Sequence, residues 1–299
     1  MNHTPRYFGP KAGAIVPLNL YIVKPDSAGK ALDAMKALEK QVQQWMQSGD
    51  KAVRLSDEAS ADLRLRIKDD DKIAISLHHL GLPGSGAVDL YYTLDAAESE
   101  APALAVLESA MRFAHLLRLN VAPKEAQCAS EFYRIIRDED AELDDDLMEP
   151  WISDGPNLLC DNLVKITPSP KDTYGINIKN MTDKTLYVSG IFYFDCSELS
   201  ITDHSQKWTV LPANGALAFA QNAGYRPWTF FLREGQPKDV GFIKIFVTSS
   251  PVDLSGISQA KPFADAERRV TILNEEELRD LLVDTITWRI DQYAPGTAV

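Results

Sequence analysis

Tyr174-Gly-Ile-Asn-Ile-Lys-Asn180, Leu186-Tyr-Val-Ser-Gly-Ile-Phe-Tyr-Phe194, Trp228-Thr-Phe-Phe-Leu232 and Val240-Gly-Phe-Ile-Lys-Ile-Phe-Val-Thr248 are the four runs whose reading decides the fold. The first alternates apolar and polar residues, as a half-buried strand does. It ends at Asn180-Met-Thr-Asp183, whose side chains favour turns by bonding nearby backbone. The second is apolar almost throughout, the pattern of a strand covered on both faces. Arg233-Glu-Gly-Gln-Pro-Lys238 reads as the linker between the third and fourth. Short strands with turn signals about every 8–12 residues predict a sandwich or barrel. Aromatic rings at alternating positions suit the space between two packed sheets.

Upstream, the periodicities are mixed. Ala14 to Val23 reads as an opening strand, and Ala31, Met35, Leu38, Val42 and Trp45 recur at helical spacing over Ser27 to Met46. Asp26 or Ser27 would cap that helix and Gly49 would stop it. Ala61-Asp-Leu-Arg-Leu-Arg-Ile67 and Lys72-Ile-Ala-Ile-Ser-Leu77 flank Asp69-Asp-Asp71 as a hairpin, and Ala87 to Leu94 is another strand. Helices are expected over Pro102 to Leu119, with proline in the first turn, and over Glu125 to Ile136. Near the end, Asn274 to Leu282 reads as a short capped helix and Asp284 to Ile290 as a returning strand.

Eight of the twelve residues from Asp138 to Glu149 are acidic, and Pro150, Pro156, Pro168 and Pro170 follow. This seam, about 138–170, predicts an α+β domain over 1–150 and a mostly antiparallel β-sandwich-like domain over 168–299. The fold class expected is therefore α+β.

Composition narrows the function. The 299 residues have average apolar and charged fractions and a net charge of −12. That field disfavours nucleic acid and anionic membrane surfaces, since phosphate binding needs a basic face. No apolar run reaches the roughly 20 residues of a membrane span, and Met1 to Pro10 lacks the apolar core of a secretory signal. Cys128, Cys160 and Cys196 are an odd, dispersed set, poor material for a disulfide framework or a zinc site. The expectation is a reduced, cytoplasmic location.

The strings Tyr174 to Asn180, Leu186-Tyr-Val188, Phe192-Tyr-Phe-Asp195 and Leu199-Ser-Ile201 together carry a resemblance. Phe231-Leu-Arg-Glu-Gly-Gln236, Asp239 to Phe246 and Pro251-Val-Asp-Leu-Ser-Gly-Ile257 add to it. They resemble the accessory β-rich region that follows the protease module in fungal caspase-like, metacaspase-related proteins. The resemblance spans about residues 50–290 and is most specific over 174–263. It implies a non-catalytic region with no catalytic residues to carry over; the protease module has no counterpart here.

Several smaller patterns bear on chemistry. His78-His79-Leu80-Gly81 ends an apolar strand, as a caspase-type base does, and Cys128 follows fifty residues later. A nucleophilic thiolate needs an adjacent imidazole, whereas Ala126-Gln-Cys-Ala-Ser130 departs from Gln-Ala-Cys-x-Gly. A loop histidine pair and a half-buried cysteine is the plainer account. Asp138, Asp140, Glu142, Asp146 and Glu149 stand at positions 1, 3, 5, 9 and 12 of a calcium loop, but Leu143 replaces the required glycine and Asp145 fills an apolar position. A solvated linker fits better, and no metal or cofactor is expected. Gly81-Leu-Pro-Gly-Ser-Gly86 lacks the Lys-Ser/Thr of a phosphate loop. Asn180-Met-Thr182 is a glycosylation acceptor that matters only on a secreted chain. Trp208, Tyr225 and Trp228 are candidates for a peptide or carbohydrate surface, with a core role as the plainer account.

The function expected is a non-catalytic protein-interaction or regulatory module whose partner is a protein, a caspase-like protease being the one the resemblance suggests. The alternatives are a divergent cysteine hydrolase using His78 or His79 with Cys128, and a self-assembling or toxin-like β protein.

Overall fold

The computed structural model describes residues 6–7, 17–23, 30–47, 53–69, 72–78, 86–95, 100–120, 126–139, 151–205, 207–220, 225–262, 278 and 280–297. The chain opens with β1 (Arg6–Tyr7), β2 (Leu18–Ile22), α1 (Lys30–Gln47), β3 (Val53–Leu55), β4 (Leu63–Asp69) and β5 (Lys72–Leu77). Then come β6 (Val88–Asp95), α2 (Glu100–Arg118), β7 (Cys128–Arg137), β8 (Trp151–Ser153), β9 (Leu163–Ile166) and β10 (Thr173–Asn180). It closes with β11 (Leu186–Asp195), β12 (Ser200–Asp203), β13 (Thr209–Leu211), β14 (Ala216–Phe219), β15 (Lys238–Thr248), β16 (Val252–Asp253) and β17 (Leu282–Tyr293). The protein is mostly β.

Among the described residues the strands form a five-stranded sheet in the order β3-β2-β4-β5-β6, a four-stranded sheet β14-β10-β7-β8 and a six-stranded sheet β12-β11-β15-β17-β9. β13 adds to β11, and β1 pairs parallel with β16. The expected hairpin is present: Leu63 to Asp69 runs antiparallel to Leu77 to Lys72. β6 continues antiparallel beside β5, and the glycine-rich segment between them lies outside the described residues except for Gly86.

Helices α1 and α2 follow their apolar spacing. Met35, Leu38 and Val42 of α1 are buried, each contributing roughly 1.5–3 kcal/mol of hydrophobic stabilisation. In α2, residues Ala103, Val106, Leu107, Ala110, Phe113, Ala114 and Leu117 are all buried, so its apolar arc is wide. The reason is packing on two sides: α2 touches β2 of the five-stranded sheet and β12 of the six-stranded sheet. Phe113 meets Phe194 of β11 edge to face, with ring centroids 5.2 Å apart.

β15 shows why its run is apolar on both faces. Val240, Phe242 and Phe246 join the core shared with α1, α2 and the five-stranded sheet. Ile243, Ile245 and Val247 join a second core with Phe132, Tyr174 and Ile176 of the four-stranded sheet. Trp288 of β17 bridges into this second core, its ring 5.8 Å from Phe132 and its indole N–H donating to Ser130 Oγ at 3.0 Å.

Three expectations change. The helix expected over Glu125 to Ile136 is strand β7, paired with β10 from Cys128↔Asn180 to Ile135↔Thr173. Cross-strand pairing overrides the local reading there: Glu131 accepts from Asn177 Nδ2 at 2.8 Å and from Lys179 Nζ at 2.7 Å, while Phe132 stacks on Tyr174. For the same reason residues 138–170 do not separate one core from another. β7, which precedes the seam, lies in a sheet with strands that follow it, and the first core runs from Leu18 to Leu282. Finally, Trp228–Leu232 is an extended segment rather than a strand, joined to β10 by one bridge at Tyr174. Pro227 has no N–H to extend a ladder there. At the C-terminal end, Leu278, Asp280 and Leu281 are helical, residues 271–277 lie outside the described residues, and β17 is the returning strand.

Candidate functional site

A dense polar cluster forms where β6, the end of β11 and the segment before β15 converge. Asp195 closes β11 and shapes the next turn: its Oδ1 accepts the N–H groups of Ser197 and Glu198 and the Ser197 hydroxyl, at 2.9–3.0 Å. Its Oδ2 accepts from Arg233 Nη2 at 2.7 Å. Arg233 stands just before a tight turn through Gly235, whose φ of +75° suits glycine. The same guanidinium donates to Ser197 Oγ at 2.7 Å, Asp239 Oδ2 at 3.2 Å and Glu198 Oε1 at 3.3 Å.

The five-stranded sheet is tied in by β6. Tyr91 N–H donates to Ser197 O at 2.9 Å, and the Tyr92 hydroxyl donates to Glu198 Oε1 at 3.2 Å. Lys261 Nζ lies 3.6 Å from Glu198 and 5.4 Å from the Tyr92 ring centroid. Arg233 Cζ sits 5.6 Å from the centre of the Tyr91 ring and 5.7 Å from that of Phe231.

Electrostatics fix this arrangement. Burial opposes the Arg233 charge, but the Asp195 hydrogen bond and the charges of Asp195, Glu198 and Asp239 outweigh it and raise its pKa. Asp239 is 2% exposed. Burial, then the neighbouring Asp195 charge, pushes its carboxyl up to about 6, with Arg233 pulling the other way. The guanidinium's donors are therefore engaged within the protein. Two aromatic rings beside the guanidinium face outward: Phe231 is 67% exposed and Tyr91 43%.

The expected catalytic set does not assemble among the described residues. His78 follows β5 in the five-stranded sheet, its Nε2 2.9 Å from Ser76 Oγ. Cys128 opens β7 in the four-stranded sheet and belongs to the other core; His79 lies outside the described residues. Burial, then the charge of Asp284, pushes the Cys128 thiol up to about 12. That is opposite to what a nucleophile requires. The Cys196 thiol is also raised well above its ordinary value, by burial and then by Asp195 and Asp239.

Of the candidate calcium ligands, Asp138 follows β7, while Asp140, Glu142, Asp146 and Glu149 lie outside the described residues. Each of the three aromatic candidates packs on another ring. Trp228 is buried, stacked 3.8 Å from the half-buried His204 ring; burial lowers that imidazole's pKa to about 4. Tyr225 packs on Phe219, its hydroxyl bonded to Thr209, and Trp208 lies edge-on to Tyr187. The site missed in sequence is Arg233, which opens what read as a linker. Its carboxylate partners Asp195 and Glu198 stand 38 and 35 residues upstream, with no local signature.

No protein-family model, curated protein or solved structure matches the chain. No described helix is long and apolar enough to cross a membrane.

Proposed function

We propose that this chain is a non-catalytic protein-recognition module, which binds through the Tyr91–Phe231 surface. One observation carries the reading: two exposed aromatic rings flank an arginine that three carboxylates hold rigid. Aromatic and arginine side chains dominate the energetic centres of protein interfaces, and a preorganised mount lowers the entropy lost on binding. The raised pKa values of Cys128 and Cys196 argue against the cysteine-hydrolase alternative. In fold terms, we read an α+β protein in which the four- and six-stranded sheets are the leaves of a sandwich. The resemblance to the accessory region of fungal caspase-like proteins makes a caspase-like protease the first partner to try. A reducing, cytoplasmic setting suits three unpaired cysteines.

Affinity capture from native lysate, comparing the wild-type chain with the Phe231→Ser/Tyr91→Ser double variant, tests this. A protein retained by the wild type and lost with the variant supports the module. Identical capture by both refutes this surface.

A further inference from the structure

We infer that the surface at Tyr91 and Phe231 takes a basic segment of its partner, an extended peptide presenting Lys or Arg beside an aliphatic residue. The inference rests on the recognition reading above and adds the partner's chemistry. Asp195, Glu198 and Asp239 face two cations, Arg233 and Lys261, and the exposed Glu234 follows Arg233 directly. With Asp291 and its partners Lys238 and Arg289 beside Asp239 included, five acids stand against four bases, and the patch keeps a surplus of one negative charge. The neighbouring Arg66–Asp89 pair on β4 and β6 cancels itself. The chain's net charge of −12 extends the same sign over longer range, which speeds encounter with a cationic partner.

The rings fit the same ligand. Phe231, 67% exposed, offers π-surface that Arg233 does not cover, and Tyr91, 43% exposed, widens the apolar shelf. An incoming cation does not meet a bare like charge, because Arg233 is over-neutralised by three carboxylates. A Lys or Arg lying on Phe231 gains cation–π attraction while its methylenes cover apolar ring surface. An acidic segment would meet repulsion at the same spot.

The test is fluorescence anisotropy with two labelled dodecapeptides, one alternating Lys/Arg with Leu and the other carrying Glu at every Lys/Arg position. The wild-type chain is expected to bind the basic peptide and not the acidic one. Phe231→Ser, at an exposed position, is expected to weaken binding about tenfold through lost cation–π and apolar contact. Glu234→Lys is expected to weaken it about threefold or more, with the effect shrinking as salt is raised. Melting curves establish that both variants fold. Equal binding of the basic peptide by the wild type and by both variants overturns the inference, as does binding of the acidic peptide. If a lysate protein depends on Phe231 and the basic peptide does not compete with it, the recognition reading stands and the basic-partner inference falls. If no captured protein depends on Phe231, both fall.

Discussion

Arg233 and Asp195 meet through a hydrogen bond of 2.7 Å between Nη2 and Oδ2, with only 11% and 13% of the two side chains exposed. This bond locks the segment before β15 to the end of β11, and Glu198 extends the lock to Tyr92 of β6. Arg233→Ala would leave the Asp195, Glu198 and Asp239 carboxylates facing one another without the guanidinium, a loss of about 3–5 kcal/mol. Arg233→Lys should fall between, because it keeps the charge and loses the planar fork. The deficit of Arg233→Ala should be smaller at pH 5 than at pH 8. Asp239, already pushed up to about 6, takes up a proton in that range. Urea titrations at the two pH values check this, and a deficit below about 1 kcal/mol at pH 8 would contradict it.

Gly241 of β15 should not tolerate alanine. A Cβ there would lie 2.3 Å from Tyr193 Oη and 2.5 Å from the ring carbons. The ring cannot retreat easily, since Trp228 and Phe230 pack on it and Gln292 Nε2 donates to its hydroxyl at 3.1 Å. Overpacking of this kind costs about 1–3 kcal/mol. A Gly241→Ala chain as stable as wild type in denaturant would show that the phenol does not cross the strand as described.

Lys244 gives stability an unusual pH dependence. It is fully buried, and its Nζ donates to Leu117 O and Asn120 Oδ1, both at 2.8 Å, at the C-terminal end of α2. Burial lowers its pKa from 10.5 to about 7. Between those values the unfolded chain binds a proton that the folded chain does not, so this group makes stability rise with pH, by up to about 1.4 kcal/mol per unit. Above about pH 9 the buried thiols act in the opposite sense: their folded pKa values are raised, so the unfolded chain loses protons first. Denaturation midpoints should therefore climb from about pH 7 to about 8.5 and then level or fall. Lys244→Met should remove the climb; an unchanged climb in that variant would assign it to other groups.

Thiol labelling separates the three cysteines. Cys160 is exposed, whereas Cys128 and Cys196 are buried. Iodoacetamide on the native protein at about pH 7.5 should modify Cys160 and spare the other two until the chain unfolds. Rapid alkylation of native Cys128 would revive a nucleophilic role for it.

Much of this architecture is legible in local sequence, because a buried strand or helix writes its period into its own residues. β4, β5, β10, β11 and β15 declare themselves in this way, as do α1 and α2. β7 does not: Glu131-Phe-Tyr-Arg-Ile-Ile136 becomes a strand through β10, about forty residues away. Trp228–Leu232 errs in the other direction, since its composition favours a strand and only one residue has a ladder partner. Arg233 is illegible for a related reason. An arginine in a polar turn looks solvated until folding brings Asp195, Glu198 and Asp239 around it.

The most direct test places a photo-crosslinking phenylalanine analogue at position 231 and, separately, at Met181, which is 62% exposed after the end of β10. Irradiation in native lysate should yield one discrete cross-linked protein from position 231 and none from position 181. No adduct at 231, or the same adducts at both positions, would contradict recognition through the Tyr91–Phe231 surface.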